Sequence, residues 1–155
     1  MGRAAATKPT NSLRVQRIFF ISLVFANAQL RERLKPTALR FSYGGFFQGY
    51  RTLEWRDGAL AYIESRAADD DEPTARITPT DAEWRAFAAQ LDALHVLRWN
   101  QEYLTPDVLD GVGWTLAIDW PDGRSVRSSG YHAYPKTFGA FVQAVSQLTG
   151  IDFQA

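Results

Sequence analysis

The chain has no cysteine, one methionine (the first residue) and two histidines, His95 and His132. The missing cysteine excludes disulfides, thiolate nucleophiles, thiolate zinc sites and a lipid-modified cysteine. Two histidines are too few for a His-rich metal site and leave only a mixed His/carboxylate one. Net charge is zero, so bulk charge gives no reason to expect nucleic acid as a partner. The longest apolar run, Ile18–Ala26 with Ser22 inside it, is too short to span a bilayer. There is no Gly-rich phosphate loop, no Gly-x-Ser-x-Gly, no His-Glu-x-x-His and no dinucleotide fingerprint. The residues imply no cofactor and no metal.

What is present is a globular composition. The 155 residues fit one domain with a real core. Five Trp, six Tyr and ten Phe point to a sheet-rich core or an adhesive surface.

Residues 1–36 form an N-terminal extension or signal peptide. Arg3, Lys8, Arg14 and Arg17 precede the apolar run, and no acid occurs before Glu32. Ala26-Asn27-Ala28 follows the run, a small-x-small pattern for signal peptidase. Arg31, Arg33 and Lys35 lie just beyond, where positive charge hinders export. Two readings stand: export with cleavage after Ala28, or a cytoplasmic protein with an N-terminal extension. Removing residues 1–28 takes four of the 17 basic residues and none of the 17 acids, leaving a net charge of −4, a further argument against nucleic acid.

Residues 37–155 read as a single α+β domain made of two repeats, about 37–94 and 95–155. Trp84, Phe87, Ala88, Leu91 and Leu94 form one helical stripe between about Pro79 and Leu94. Phe138, Phe141, Val142, Val145 and Leu148 form another between about Pro135 and Leu148. Both follow the i, i+3, i+4, i+7 spacing of an amphipathic helix. Thr78 with Asp81 predicts a capping-box start for the first, and Gly150 a stop for the second.

The hairpins repeat as well. Thr52–Gly58 reads against Ala117–Gly123. The offset is 65 here and 54 between the helices, and the acidic stretch near Arg66–Arg76 accounts for the difference. Asp57-Gly58 predicts a two-residue turn that places Trp55 opposite Leu60 and Leu53 opposite Tyr62. Pro121-Asp122-Gly123 predicts a three-residue loop that places Ile118 opposite Val126, Leu116 opposite Ser128 and Trp114 over Gly130. A further strand is expected before each hairpin, at Arg40–Phe46 and at His95–Trp99. The expected fold is an antiparallel sheet of about six strands with two helices on one face, ordered strand-strand-strand-helix twice.

Gly113–Ile118, then Ser129-Gly130-Tyr131-His132-Ala133-Tyr134-Pro135 and Phe138, resembles the end of a group of small bacterial α+β proteins. Those carry a Trp-bearing strand, a hairpin, and Gly-x-x-Ala-Tyr-Pro-x-x-Phe opening a helix. The resemblance covers roughly the last third of the chain and implies no activity, since none is assigned to that group.

Two stretches stand out as candidate binding sites. One is Trp114 with Tyr131, His132 and Tyr134, where a helix N-terminus could hold an anion and His132 could move a proton. The plain alternative is that Ser128 and Gly130 make room for the Trp114 indole. The other is Gly44–Tyr50, with Phe46, Phe47 and Tyr50 on a glycine-rich turn suited to an adaptable contact. Its alternative is a bulged strand that sends Phe46 or Phe47 into the core. Asp69–Glu72 lacks the spacing of a calcium loop and reads as a solvated loop. Glu54 and Asp119 hold equivalent outward positions and could pair as carboxylates across a cleft. His95, at the end of the first helix, reads as a partner of that terminus.

The leading functional expectation is a non-enzymatic protein-binding or accessory module of a bacterium, of inhibitor or immunity type, monomeric or homodimeric. The alternatives are a small hydrolase-like enzyme using His132 with Asp110 or Asp119, and a small-ligand carrier with its pocket between sheet and helices.

Overall fold

A computed structural model describes residues 35–45, 47–66, 72–106 and 111–153, all within one unit, Arg33–Ala155. The candidate leader, Phe46, Asp69–Asp71 and Asp110 lie outside the described residues.

The fold is α+β, with a mostly antiparallel seven-stranded sheet and two helices. In chain order the elements are β1 (Ala38–Gly45), β2 (Gly49–Arg56), β3 (Ala59–Ser65), β4 (Ala75–Ile77), α1 (Asp81–Ala93), β5 (Glu102–Leu104), β6 (Gly113–Asp119), β7 (Ser125–Tyr131) and α2 (Phe138–Thr149). Across the sheet they run β4-β3-β2-β1-β6-β7-β5. No helix among the described residues is long and apolar enough to cross a membrane.

Turn chemistry sets both hairpin registers. Asp57 and Gly58 take positive φ, 50° and 77°, as a two-residue turn matching strand twist requires. Trp55 then faces Leu60, and Leu53 faces Tyr62. Gly123 has φ 84°, and Trp120 and Arg124 close the three-residue loop (Trp120 N–H to the Arg124 carbonyl, 2.9 Å). Ile118 faces Val126, Leu116 faces Ser128 and Trp114 faces Gly130.

Four features differ from the sequence expectation. The sheet has seven strands rather than six, because Ala75–Ile77 adds to β3 as an edge. It is not wholly antiparallel: β5 pairs parallel with β7. His95–Trp99 is no strand. Leu94 caps α1, His95 turns left-handed (φ 53°) and Val96–Arg98 makes one 3-10 turn. That turn buries Val96 and lets the Trp99 indole donate to Thr137 Oγ1 (3.2 Å). The strand comes later, at Glu102. Finally, the capping box of α1 is Thr80 with Glu83, not Thr78 with Asp81. The Thr80 N–H donates to Glu83 Oε2 (2.6 Å) and the Glu83 N–H to Thr80 Oγ1 (3.3 Å). Both pairs have capping-box spacing, but the helix opens at Asp81, directly after Thr80, whose extended backbone (ψ 163°) is what an N-cap needs.

Both helices cover the same sheet face. Opposed residues of adjacent strands share a face, so Leu53, Phe41 and Leu116, which lie in one row, point to the helices together. Phe41 meets Phe141 of α2 edge-on (centroids 5.1 Å) and Trp55 meets Trp84 of α1 (5.6 Å). After α2, Gly150 turns left-handed (φ 71°) and the chain returns to the core. Phe153 is fully buried against Phe41 and Tyr62 (5.7 and 5.4 Å), a core residue that the helical stripes do not reveal.

Candidate functional site

The sheet face turned away from the helices carries the candidate site. Its β2–β3 half is buried at Thr52, Ala61, Ile63 and Ser65; the half formed by β1, β6, β7 and β5 is open. Pairing arranges its side chains in rows. One row reads Tyr50, Gly44, Gly113, Tyr131, Leu104. The next reads Thr52, Ser42, Thr115, Ser129, Glu102. A third reads Glu54, Arg40, Ala117, Arg127.

Two glycines side by side leave a gap in the first row. Tyr50 and Tyr131 stand three strand spacings apart, about 14 Å between Cα atoms, with no side chain between them. The gap is a shallow trough. At its turn end a depression of about 370 Å³ is lined by Phe47, Gln48, Tyr50, Tyr131 and His132 over Gly44, Gly45, Gly111 and Gly113. A second of about 370 Å³ shares Gly44, Tyr50, Gly113 and Tyr131 and continues over Ser42, Thr115, Ser129 and Glu102. A third of the same size follows over Thr115, Ser129, Arg40 and Arg127.

The two floor glycines are there for different reasons. Gly44 has φ 156°, and a Cβ on it would lie 2.7 Å from the Tyr50 Cα, so close backbone approach to β2 requires glycine. A Cβ on Gly113 would meet Tyr131 Cδ2 at 3.7 Å and the Gly130 carbonyl oxygen at 3.8 Å, both ordinary contacts. Glycine there is not needed by the fold; it keeps the trough open.

Phe47, Tyr50, Tyr131 and His132, from the two stretches singled out in the sequence, therefore meet at one site. Phe47 does not enter the core: it is 80% exposed. His132 takes a left-handed backbone (φ 50°), its N–H donating to the Val112 carbonyl (3.1 Å) and its carbonyl accepting from Thr105 Oγ1 (2.9 Å). Gly111 lies against the imidazole, where any Cβ would collide with the ring.

Trp114 and Tyr134 go to the other face. Trp114 is buried, its Nε1–H donates to the Ala133 carbonyl (2.9 Å), and its ring packs on Phe138 (4.8 Å) and Trp99 (5.9 Å). A Cβ on Gly130 would sit 2.7 Å from Trp114 Cε2. Tyr134 stacks on Phe138 (4.9 Å); burial first, then the neighbouring Tyr43, raises its hydroxyl pKa. Each fixed residue of Gly-x-x-Ala-Tyr-Pro-x-x-Phe thus has a packing role: Gly130 under the indole, Ala133 as its acceptor, Tyr134 on Phe138, and Pro135 and Phe138 buried.

The carboxylates do not converge on His132. Asp119 lies six residues along β6 from Gly113, about 20 Å away. It accepts from Arg127 Nη2 with both oxygens (2.7 and 2.8 Å). Glu54 accepts from Arg40 (3.1 Å) and Arg56 (3.0 Å), so Glu54 holds two arginines and Asp119 one, and the two carboxylates do not form a pair. No cluster of three or more His, Asp or Glu suited to a metal occurs among the described residues.

Sequence reading found the aromatic walls and missed the floor: Ser42, Thr115 and Ser129 look like ordinary outward strand residues until β1 pairs with β6. Fold and site together define an α+β protein with one helix-covered sheet face and one half-open face bearing a trough. No protein-family model matches the chain, and no curated protein matches it.

Proposed function

We propose that the protein is a non-enzymatic binding module that holds its partner over the trough and its aromatic rim. The observation that supports this reading most is Phe47, 80% exposed at the edge of a depression walled by Tyr50, Tyr131 and His132. Exposed apolar surface that forms a patch beside a concavity and is rimmed by polar groups marks binding surfaces. Leu104, 63% exposed in the same row as Tyr131, extends the rim. The hydrolase reading loses Asp119 to its pairing with Arg127, and a pocket between sheet and helices has to compete with the Phe41, Phe138, Phe141 and Trp114 rings that fill that space. The trough is the better place for a ligand.

The two halves of the domain are read as a repeat of hairpin and helix. Their matching helical stripes and hairpin turns favour this, while the different placement of β1 and β5 limits it to the hairpin-helix part.

The test is photo-crosslinking in the native host with a photoreactive phenylalanine at position 47, and at Arg85 on the exposed side of α1 as control. A binding module gives a discrete adduct, with protein or with glycan, from position 47 that is absent from position 85. Equal labelling from both positions, or none, would sink the reading.

A further inference from the structure

We propose that the trough takes a neutral oligosaccharide, laid along β1 and β6 between Tyr50 and Tyr131. This rests on the binding-module reading above and names its ligand.

Backbone N–H and C=O groups inside a sheet are spent on the ladder. A ligand on the trough floor therefore meets side chains, not main chain. A peptide strand would find no hydrogen-bonding edge there. What it would find is a row of hydroxyls, Ser42, Thr115 and Ser129 on three adjacent strands. Ser42 Oγ accepts from Thr52 Oγ1 (3.1 Å) and keeps its own O–H, while Ser129 Oγ donates to the Gln101 carbonyl (3.3 Å) and keeps its acceptor lone pairs, so the row offers both donors and acceptors, the pattern that a polyol answers. Gln48 at the turn end and Glu102 beyond Ser129 add an amide and an acceptor at the margins.

The walls supply the other half of sugar chemistry. A tyrosine ring carries negative charge on its face, and the axial C–H groups of a pyranose are weakly positive and apolar, so they stack on it. Tyr50 and Tyr131 stand on either side of the glycine gap with Phe47 at its mouth.

Pairing argues against an anion. The arginines at the far end already hold carboxylates, Arg40 sharing Glu54 with Arg56 (3.1 and 3.0 Å) and Arg127 holding Asp119 (2.7 Å). An acidic ligand would have to displace those carboxylates, whereas a neutral one leaves them in place. Each section of the trough, about 370 Å³, is of the size found for small-ligand clefts.

Gly113 gives a clean test, because a Cβ there meets only ordinary van der Waals contacts, Tyr131 Cδ2 at 3.7 Å and the Gly130 carbonyl oxygen at 3.8 Å, and valine suits a strand. The full chain and its Gly113→Val and Tyr50→Ala variants would be titrated with cellohexaose, chitohexaose and maltohexaose, by calorimetry and by amide shifts in ¹⁵N NMR. The expected result is that at least one hexasaccharide binds and shifts the amides of Gly113, Thr115, Ser129 and Tyr131. Gly113→Val, folded by circular dichroism, then loses about tenfold or more in affinity, and Tyr50→Ala weakens binding likewise. If none of the three shifts any trough amide at about 10 mM, the range of the weakest specific binding, or if folded Gly113→Val binds as wild type does, the proposal is overturned. A protein adduct from position 47 without sugar binding would overturn the ligand class and keep the binding module. Loss of both would remove the module as well.

Discussion

Phe153→Ala is the substitution that most sharply tests how this domain closes. Irregular stretches after a helix ordinarily tolerate change, so little effect would be the default beyond Thr149. The structure places this ring in the centre of the core. It is 0% exposed and touches Phe41 of the central strand and Tyr62 of β3. The tail is tied down before it arrives. The Gly150 N–H donates to the Ser146 carbonyl (2.8 Å), the Ile151 N–H to Thr149 Oγ1 (3.2 Å) and the Phe153 N–H to Ser146 Oγ (3.1 Å). Truncating a fully buried Phe costs about 3–5 kcal/mol, transfer and cavity together. Against a total stability of about 5–15 kcal/mol, that is a large share. The thermal midpoint should fall by about 10 °C, at about 2–4 °C per kcal/mol for a chain of this size. Urea unfolding followed by tryptophan fluorescence would measure it as a lower midpoint with unchanged slope. Phe153→Leu should recover most of the loss, at a cost under about 1.5 kcal/mol. Gln143→Ala, on the exposed side of α2, should stay within about 0.5 kcal/mol of wild type. A cost below about 1 kcal/mol for Phe153→Ala would mean that the tail does not complete the core.

Two glycines of the paired strands β6 and β7 should respond oppositely. Gly130→Ala drives a methyl into Trp114 and the Ala133 carbonyl and should cost about 1–3 kcal/mol by overpacking, while Gly113→Ala should be neutral or slightly stabilising in thermal denaturation; equal effects would refute the assignment of the two to opposite faces. The Arg127 guanidinium, by hydrogen bonding first and by charge second, holds the Asp119 carboxyl below its ordinary value, and the Thr80 N–H and hydroxyl do the same for Glu83. A carboxylate with a folded pKa below its unfolded one contributes stability above the unfolded value, near 3.9 for Asp and 4.3 for Glu, and that contribution is lost as pH falls through the folded value. Acid titration of Arg127→Leu by carboxyl ¹³C NMR should show Asp119 returning upward to the ordinary range; an unchanged Asp119 would refute the pairing.

Local chemistry was enough for much of the fold. The stripe Phe138, Phe141, Val142, Val145, Leu148 is legible because 3.6-residue periodicity is a property of the chain alone, and all five are buried. Both hairpin registers are legible because two or three turn residues dictate them. His95–Trp99 misleads because a short apolar stretch, Val96-Leu97 with Trp99, fits a strand and a 3-10 turn equally, and the choice falls to the partner, here Thr137 waiting for the Trp99 indole. Phe153 carries a local sign, an apolar residue soon after the Gly150 stop, but where it lands depends on strands some ninety and more residues earlier.

Strand order and the trough belong to the tertiary structure. The residues themselves put aromatics, glycines and hydroxyls on outward strand positions; only the pairing of β1 with β6, which sets Gly44 beside Gly113 and Ser42 beside Thr115, makes a gap and a floor of them. The physical reason is range. Helix stripes and tight turns are decided within a few residues by backbone geometry and side-chain period, whereas a join between strands about seventy residues apart is decided by which faces can share one core, and that is a property of the whole chain.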